Sequence, residues 1–158
     1  MTGGEIEHAS EIVINRPPAH VFAVLTDLEQ YLAQWAKGPV VAKKLTSGVT
    51  TSGSRFEVTA RVAGMHVKSP YVVTSFEPDQ RFGGDGIAGP VRFSEEYTLK
   101  PDPDATDVTR LRYAMRAKPR GVFKVARAPI AGQLRRLLDA DLERFKSLVE
   151  NTPPGTGR

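Results

Sequence analysis

One carboxylate stands where an apolar side chain is expected. In Val91-Arg92-Phe93-Ser94-Glu95-Glu96-Tyr97-Thr98-Leu99, the residues Val91, Phe93, Tyr97 and Leu99 share one frame of a period-two pattern, and Glu95 falls in that same frame. An unpaired charge buried among apolar groups costs on the order of several kcal/mol, so an inward Glu95 must be protonated, paired or ligand-bound. Desolvation would raise its pKa, and a carboxyl poised in this way suits proton abstraction beside a carbonyl. The alternative is a bulge near Ser94 that shifts the frame and leaves Glu95 in solvent. Tyr71, Tyr97 and Tyr113 fall in the apolar frames of three different strands. Each is either ordinary core or a ring whose hydroxyl orients a polar ligand group.

The other chemistry-bearing patterns carry less. Gly84-Asp85-Gly86-Ile87-Ala88-Gly89 has the spacing GxGxxG, which cradles a dinucleotide only between a strand and a helix N-terminus. Pro90 and an alternating strand follow instead, so the segment reads as a flexible glycine loop at the sheet rim, placed to gate a cavity. His8, His20 and His66 are widely separated, and their spacing suggests no metal site. His66 falls in the polar frame of its strand. No nucleophile-elbow motif supports a Ser-His-Asp triad. The absence of cysteine excludes disulfides, thiolate nucleophiles and Cys-based metal sites. Neither a cofactor nor a metal is expected.

The elements that position these residues follow from periodicity. Glu11 to Asn15 reads as a first strand, with Ile12 and Ile14 on one face. Pro17 and Pro18 stop it, and Pro18 suits the first position of a helix reaching about Leu25. Thr26 and Asp27 are both N-caps in capping-box spacing with Glu29 and Gln30. A second short helix with Leu28, Tyr31, Leu32 and Trp35 follows, ending before Gly38-Pro39, and Trp35 packs at the cavity mouth or under that helix. Strands then come in succession. Val40 to Leu45 is one, and Phe56, Val58, Ala60 and Val62 form the apolar frame of the next. After a turn at Ala63-Gly64 come Met65, Val67, Tyr71 and Val73, where Pro70 marks a bulge or an edge. The Val91 to Leu99 strand and a last one with Thr109, Leu111, Tyr113 and Met115 complete the set.

From about Val122 to Val149 the period becomes helical. Ile130, Leu134, Leu138, Phe145 and Leu148 form the stripe, with Leu137 and Leu142 at its margins and Pro129 starting or kinking the helix. Residues 1–150 read as one domain, and the Pro/Gly-rich stretch 151–158 as a disordered tail. Short connections between consecutive strands favour an antiparallel meander. The fold class is therefore α+β: a curved antiparallel sheet of about seven strands wrapped around a long C-terminal helix, with two short helices after the first strand.

Several segments resemble the SRPBCC superfamily, the START-related and birch-pollen-allergen-like helix-grip proteins, and within it the bacterial polyketide cyclase/dehydrase-like proteins. They are Glu11-Ile12-Val13-Ile14, Pro18-Ala19 with Val21 through Asp27, the lone Trp35, Val73 through Pro78 with Arg81-Phe82, and Asp141 through Lys146 with Glu150. The resemblance runs from Ile12 to Glu150. It specifies the helix-grip fold and leaves the ligand open.

Alternating frames and the facing helix stripe together predict an internal cavity, lined from Phe56, Val58, Tyr71, Val73, Phe93, Tyr97, Leu111, Tyr113, Met115, Leu134 and Leu138. Three functions are compatible with it. The first is binding of a small hydrophobic ligand, polyketide-, lipid- or isoprenoid-like. The second is a cofactor-independent cyclase or dehydratase with Glu95 as acid/base. The third is a regulatory interaction module using the basic segment 110–127, which contains no acid although the whole chain carries a net charge of only +4. No aromatics alternate with those charges on an exposed face, so nucleic acid is not an expected partner. No apolar run approaches a signal peptide or a membrane span, so the expectation is a cytoplasmic monomer or homodimer with no integral membrane association.

Overall fold

The computed structural model describes residues 5–36, 40–62, 64–88, 91–119 and 127–153. Strand β1 (Ile6–Ile14) leads into two short helices, α1 (Pro18–Thr26) and α2 (Leu28–Trp35). Six strands follow: β2 (Val40–Lys44), β3 (Arg55–Val62), β4 (Met65–Glu77), β5 (Arg81–Ala88), β6 (Val91–Pro101) and β7 (Thr109–Pro119). Helix α3 (Arg127–Asn151) closes the chain. The strands form one antiparallel sheet in the order β1-β7-β6-β5-β4-β3-β2. Strands β2 to β7 are a meander, and β1 joins its far edge against β7. This is the helix-grip architecture expected from the sequence.

The two short helices owe their separation to Asp27. Its backbone leaves the helical region and ends α1, while its side chain accepts a hydrogen bond from the Gln30 N–H and caps α2. Pro18 at the start of α1 leaves Val21, Phe22, Val24 and Leu25 buried. Strand β1 begins at Ile6, earlier than the expected Glu11, because β7 is long enough to pair Ile6 with Ala117 and to bury both.

Helix α3 departs from the expected stripe. Leu142 and Val149 are fully buried beside Phe145, whereas Leu134, Leu138 and Leu148 are half-buried. Positions 138, 142, 145 and 149 follow the helical period closely, so Leu142 lies at the centre of the buried face rather than its margin. The sealed part of α3 is its C-terminal half. The helix continues to Asn151, and the Thr152 hydroxyl donates to the Leu148 carbonyl. The expected start near Val122, the side chain of Ile130 and residues 154–158 lie outside the described set.

Two strand features matter for the site. Pro70 stays in register with Glu57, so the bulge lies further on, between Val73 and Ser75. Pro70 instead marks a local edge: β4 pairs with β3 out to Met65, but its pairing with β5 stops at Tyr71 with Gly86. The second feature is β5. The expected glycine loop is a paired strand through Ala88, with Gly89 outside the described residues. A Cβ at Gly84 would lie 2.6 Å from Tyr71 Cζ, and one at Gly86 2.6 Å from Phe93 Cζ. These glycines clear a path for aromatic rings from the flanking strands.

Candidate functional site

Between the concave face of the sheet and helices α2 and α3 lies a cavity of about 430 Å³. Leu28, Leu32 and Trp35 of α2 form one wall, and Leu137, Leu138 and Leu142 of α3 another. The sheet supplies Val58 and Ala60 from β3, Tyr71 from β4, Phe93, Glu95 and Tyr97 from β6, and Tyr113 from β7. Val67, Ser69 and Pro70 line it on one side of the gap between β4 and β5, with Ile87 on the other. The absence of pairing there leaves the sheet open at that end of the cavity.

Of the residues expected to line it, Val58, Tyr71, Phe93, Tyr97, Tyr113 and Leu138 do so. Phe56, Val73, Leu111 and Met115 point to the same side but are buried in the core, and Leu134 packs half-buried against that core. Frame alone reports which face a residue takes. It does not report how far along each strand the helices seal that face. The lining residues that sequence reasoning missed include Leu28, Leu32 and Trp35 of α2, whose apolar spacing was legible, further positions on β3, β4 and β5 such as Ala60, Val67 and Phe82, and Asp141, an acid one turn after Leu138.

Glu95 faces the cavity. The β5–β6 and β6–β7 ladders run through Ser94 without a shift, so no bulge turns it outward. Tyr71 Oη donates to Glu95 Oε2 at 2.8 Å, and Tyr113 Oη donates to Oε1 at 2.9 Å. Tyr71 reaches from β4 across the whole width of β5, over Gly84 and Gly86, and could not do so past a side chain. Part of Glu95 lines the cavity and stays accessible there, yet its carboxyl lies deep in the protein. Burial raises its pKa, and the hydrogen bonds from Tyr71 and Tyr113 only partly offset that. Tyr71, Tyr97 and Tyr113 are pushed well above the usual phenol range, first by burial and then by the charge of Glu95. They remain protonated hydroxyls.

Trp35 is buried edge-on against Phe145, with ring centroids 5.1 Å apart. Its indole N–H has no hydrogen-bond partner among the described residues. No group of three or more His, Asp or Glu is placed to hold a metal among them either. His66 is exposed, His8 bonds Asp139 at 2.9 Å, and His20 contacts the last carbonyls of α3.

Residues 5–150 match the family described as polyketide cyclase / dehydrase and lipid transport. The chain belongs to that family. No protein of curated function matches the sequence. Among solved structures, the Zhui aromatase/cyclase from Streptomyces sp. R1128 superposes with a TM-score of 0.76 at 16% identity, covering 98% of this chain and 99% of that one. Ara h 8.0201 gives 0.70 at 12% identity over 94% and 100% of the two chains. A START superfamily protein from Mycobacterium smegmatis gives 0.68 at 13% over 92% and 94%. At these identities the likeness is one of fold, which the chain shares with each of them.

Proposed function

We propose that the protein binds a small, largely apolar molecule, polyketide-, lipid- or isoprenoid-like, with its polar end against Glu95, Tyr71 and Tyr113. The observation that carries this reading is a cavity of about 430 Å³ whose walls are apolar apart from a few grouped polar side chains. Ligand sites of that composition commonly span ~300–1,000 Å³. Native mass spectrometry of the purified protein tests it, with a small-molecule adduct expected that is lost on denaturation. No adduct, together with no calorimetric binding of neutral polycyclic aromatics, would overturn the reading.

A second reading is favoured by the meeting of a carboxylate and two hydroxyls at one cavity point. In it, the protein is a cofactor-independent cyclase or dehydratase. Glu95 takes a proton from carbon beside a ligand carbonyl, which releases one tyrosine hydroxyl to donate to the developing enolate oxygen. General acid–base catalysis commonly contributes ~10²–10⁴-fold. Glu95→Gln should therefore lower cyclisation of a short poly-β-ketone by about that factor, and unchanged turnover would remove Glu95 from the chemistry. The interaction-module reading has less support. Arg110 is 3.2 Å from Asp102 and Arg116 is 3.9 Å from Glu7, so part of the basic segment is locally neutralised. Arg120 and Lys124 lie outside the described residues.

A further inference from the structure

The wall around Glu95 has a definite stock of protons. Each carboxylate oxygen accepts from one tyrosine, Oε2 from Tyr71 and Oε1 from Tyr113. A phenol carries a single proton, and both of these are spent on the carboxylate. What the pair and the carboxylate still offer toward the cavity is lone pairs only. A ligand oxygen that can only accept finds no donor on these three side chains. A hydroxyl that donates finds oxygen lone pairs on the carboxyl and on both phenols to accept it.

Charge points the same way. The other ionisable carboxyl on the described cavity wall is Asp141, and no Lys, Arg or His is among the described lining residues. An anionic head would face the Glu95 carboxyl with no cation on the described wall to offset it, whereas Asp141 is already paired with Arg144.

Resting on the ligand-binding reading above, we infer that the polar end of the cavity selects a neutral ligand group that donates a hydrogen bond, a phenol or alcohol hydroxyl, over an ether, a ketone or a carboxylate. This narrows the ligand class from apolar molecules in general to hydroxylated ones. It also explains why Tyr71 is brought across a glycine strand to a carboxylate rather than left facing the cavity alone.

Calorimetric titration of the unmodified protein at neutral pH with 2-naphthol, 2-methoxynaphthalene and 2-naphthoate tests it. The phenol should bind about 10-fold or more tightly than its methyl ether, and the carboxylate most weakly. Equal binding of phenol and ether, or tighter binding of the carboxylate, would overturn the inference while leaving the cavity reading in place. Binding by none of the three would overturn both. In Glu95→Gln the amide supplies donors of its own, so the phenol's advantage should shrink to within a few-fold. A phenol advantage undiminished in that variant would remove Glu95 as the selecting group. The comparison within the unmodified protein stands even if a variant fails to fold.

Discussion

Glu95 sets burial against hydrogen bonding, and burial prevails. With its pKa raised in the folded state, the folded protein holds the proton at pH values where the unfolded chain has lost it. The contribution of Glu95 to stability is therefore fully present below the unfolded carboxyl pKa, and is lost as pH rises through the folded pKa. Glu95→Gln cannot titrate. Urea unfolding of both proteins across this acidic-to-neutral range should show the stability of the native protein falling relative to the variant as pH rises. A difference independent of pH would contradict the shift. A second residue-scale test lies on β5. Gly84→Ala places a Cβ 2.5 Å from the Val72 carbonyl oxygen and 2.7 Å from Tyr71 Oη, and neither the backbone nor the bonded ring can yield easily. It should cost ~1–3 kcal/mol in urea unfolding and break the Tyr71–Glu95 contact. The inward frame of Glu95 was legible from the period-two pattern of one strand, but the absence of a bulge at Ser94 was not. Three inward tyrosines were legible as well, but not which of them meet the carboxyl. Tyr71 reaches it across an intervening strand, and that depends on register and on two glycines whose spacing imitates a phosphate loop.

At the scale of elements, α3 is fixed to the sheet mainly at its C-terminal end. The Asn15 N–H donates to Glu150 Oε2 at 2.8 Å, Lys146 Nζ donates to that oxygen at 2.7 Å and to the Val13 carbonyl at 2.8 Å, and Arg16 donates to the Glu150 carbonyl. His20 adds contacts of 3.2 and 2.9 Å to the Val149 and Thr152 carbonyls at the C-terminal end of α3. Burial disfavours the Glu150 carboxylate, but Lys146, the Asn15 amide and Arg16 outweigh it and hold the pKa below its usual value. Here the sign is opposite to that of Glu95: the stabilisation is present above the unfolded pKa and is lost as pH falls through the folded one. Because the pair is partly exposed, Glu150→Gln should cost only about 1 kcal/mol at neutral pH, and less in acid. An unaltered urea midpoint would show that the clamp adds nothing. The sequence made most elements visible, down to Asp27 as the break between the short helices. It misled at β5, where glycines that admit aromatic rings look the same as glycines that make a loop. It also misplaced Leu142, because a stripe drawn over the whole of α3 averages a sealed half with a half that spans the cavity.

At the scale of the molecule, the helices and the sheet do not close on each other everywhere. Phe56, Phe82, Leu111 and Phe145 are fully buried members of one core cluster, and a cavity remains under α2 and the middle of α3. Such a void forfeits packing contacts that a filled core would have, and proteins often give up stability at a functional site. Val58 tests whether that holds here. It is half-buried on β3 between Ala42 and Ser69, and its side chain borders the cavity. Val58→Phe extends into empty space, so the overpacking that penalises larger side chains in a solid core is largely avoided. Thermal unfolding should leave the variant as stable as the native protein or about 1 kcal/mol more so. Its affinity for 2-naphthol should fall about 10-fold or more, as the ring occupies the volume the ligand needs. Retained affinity in a folded variant would place the ligand outside the cavity. A large loss of stability would show that the space beside Val58 is not free to be filled.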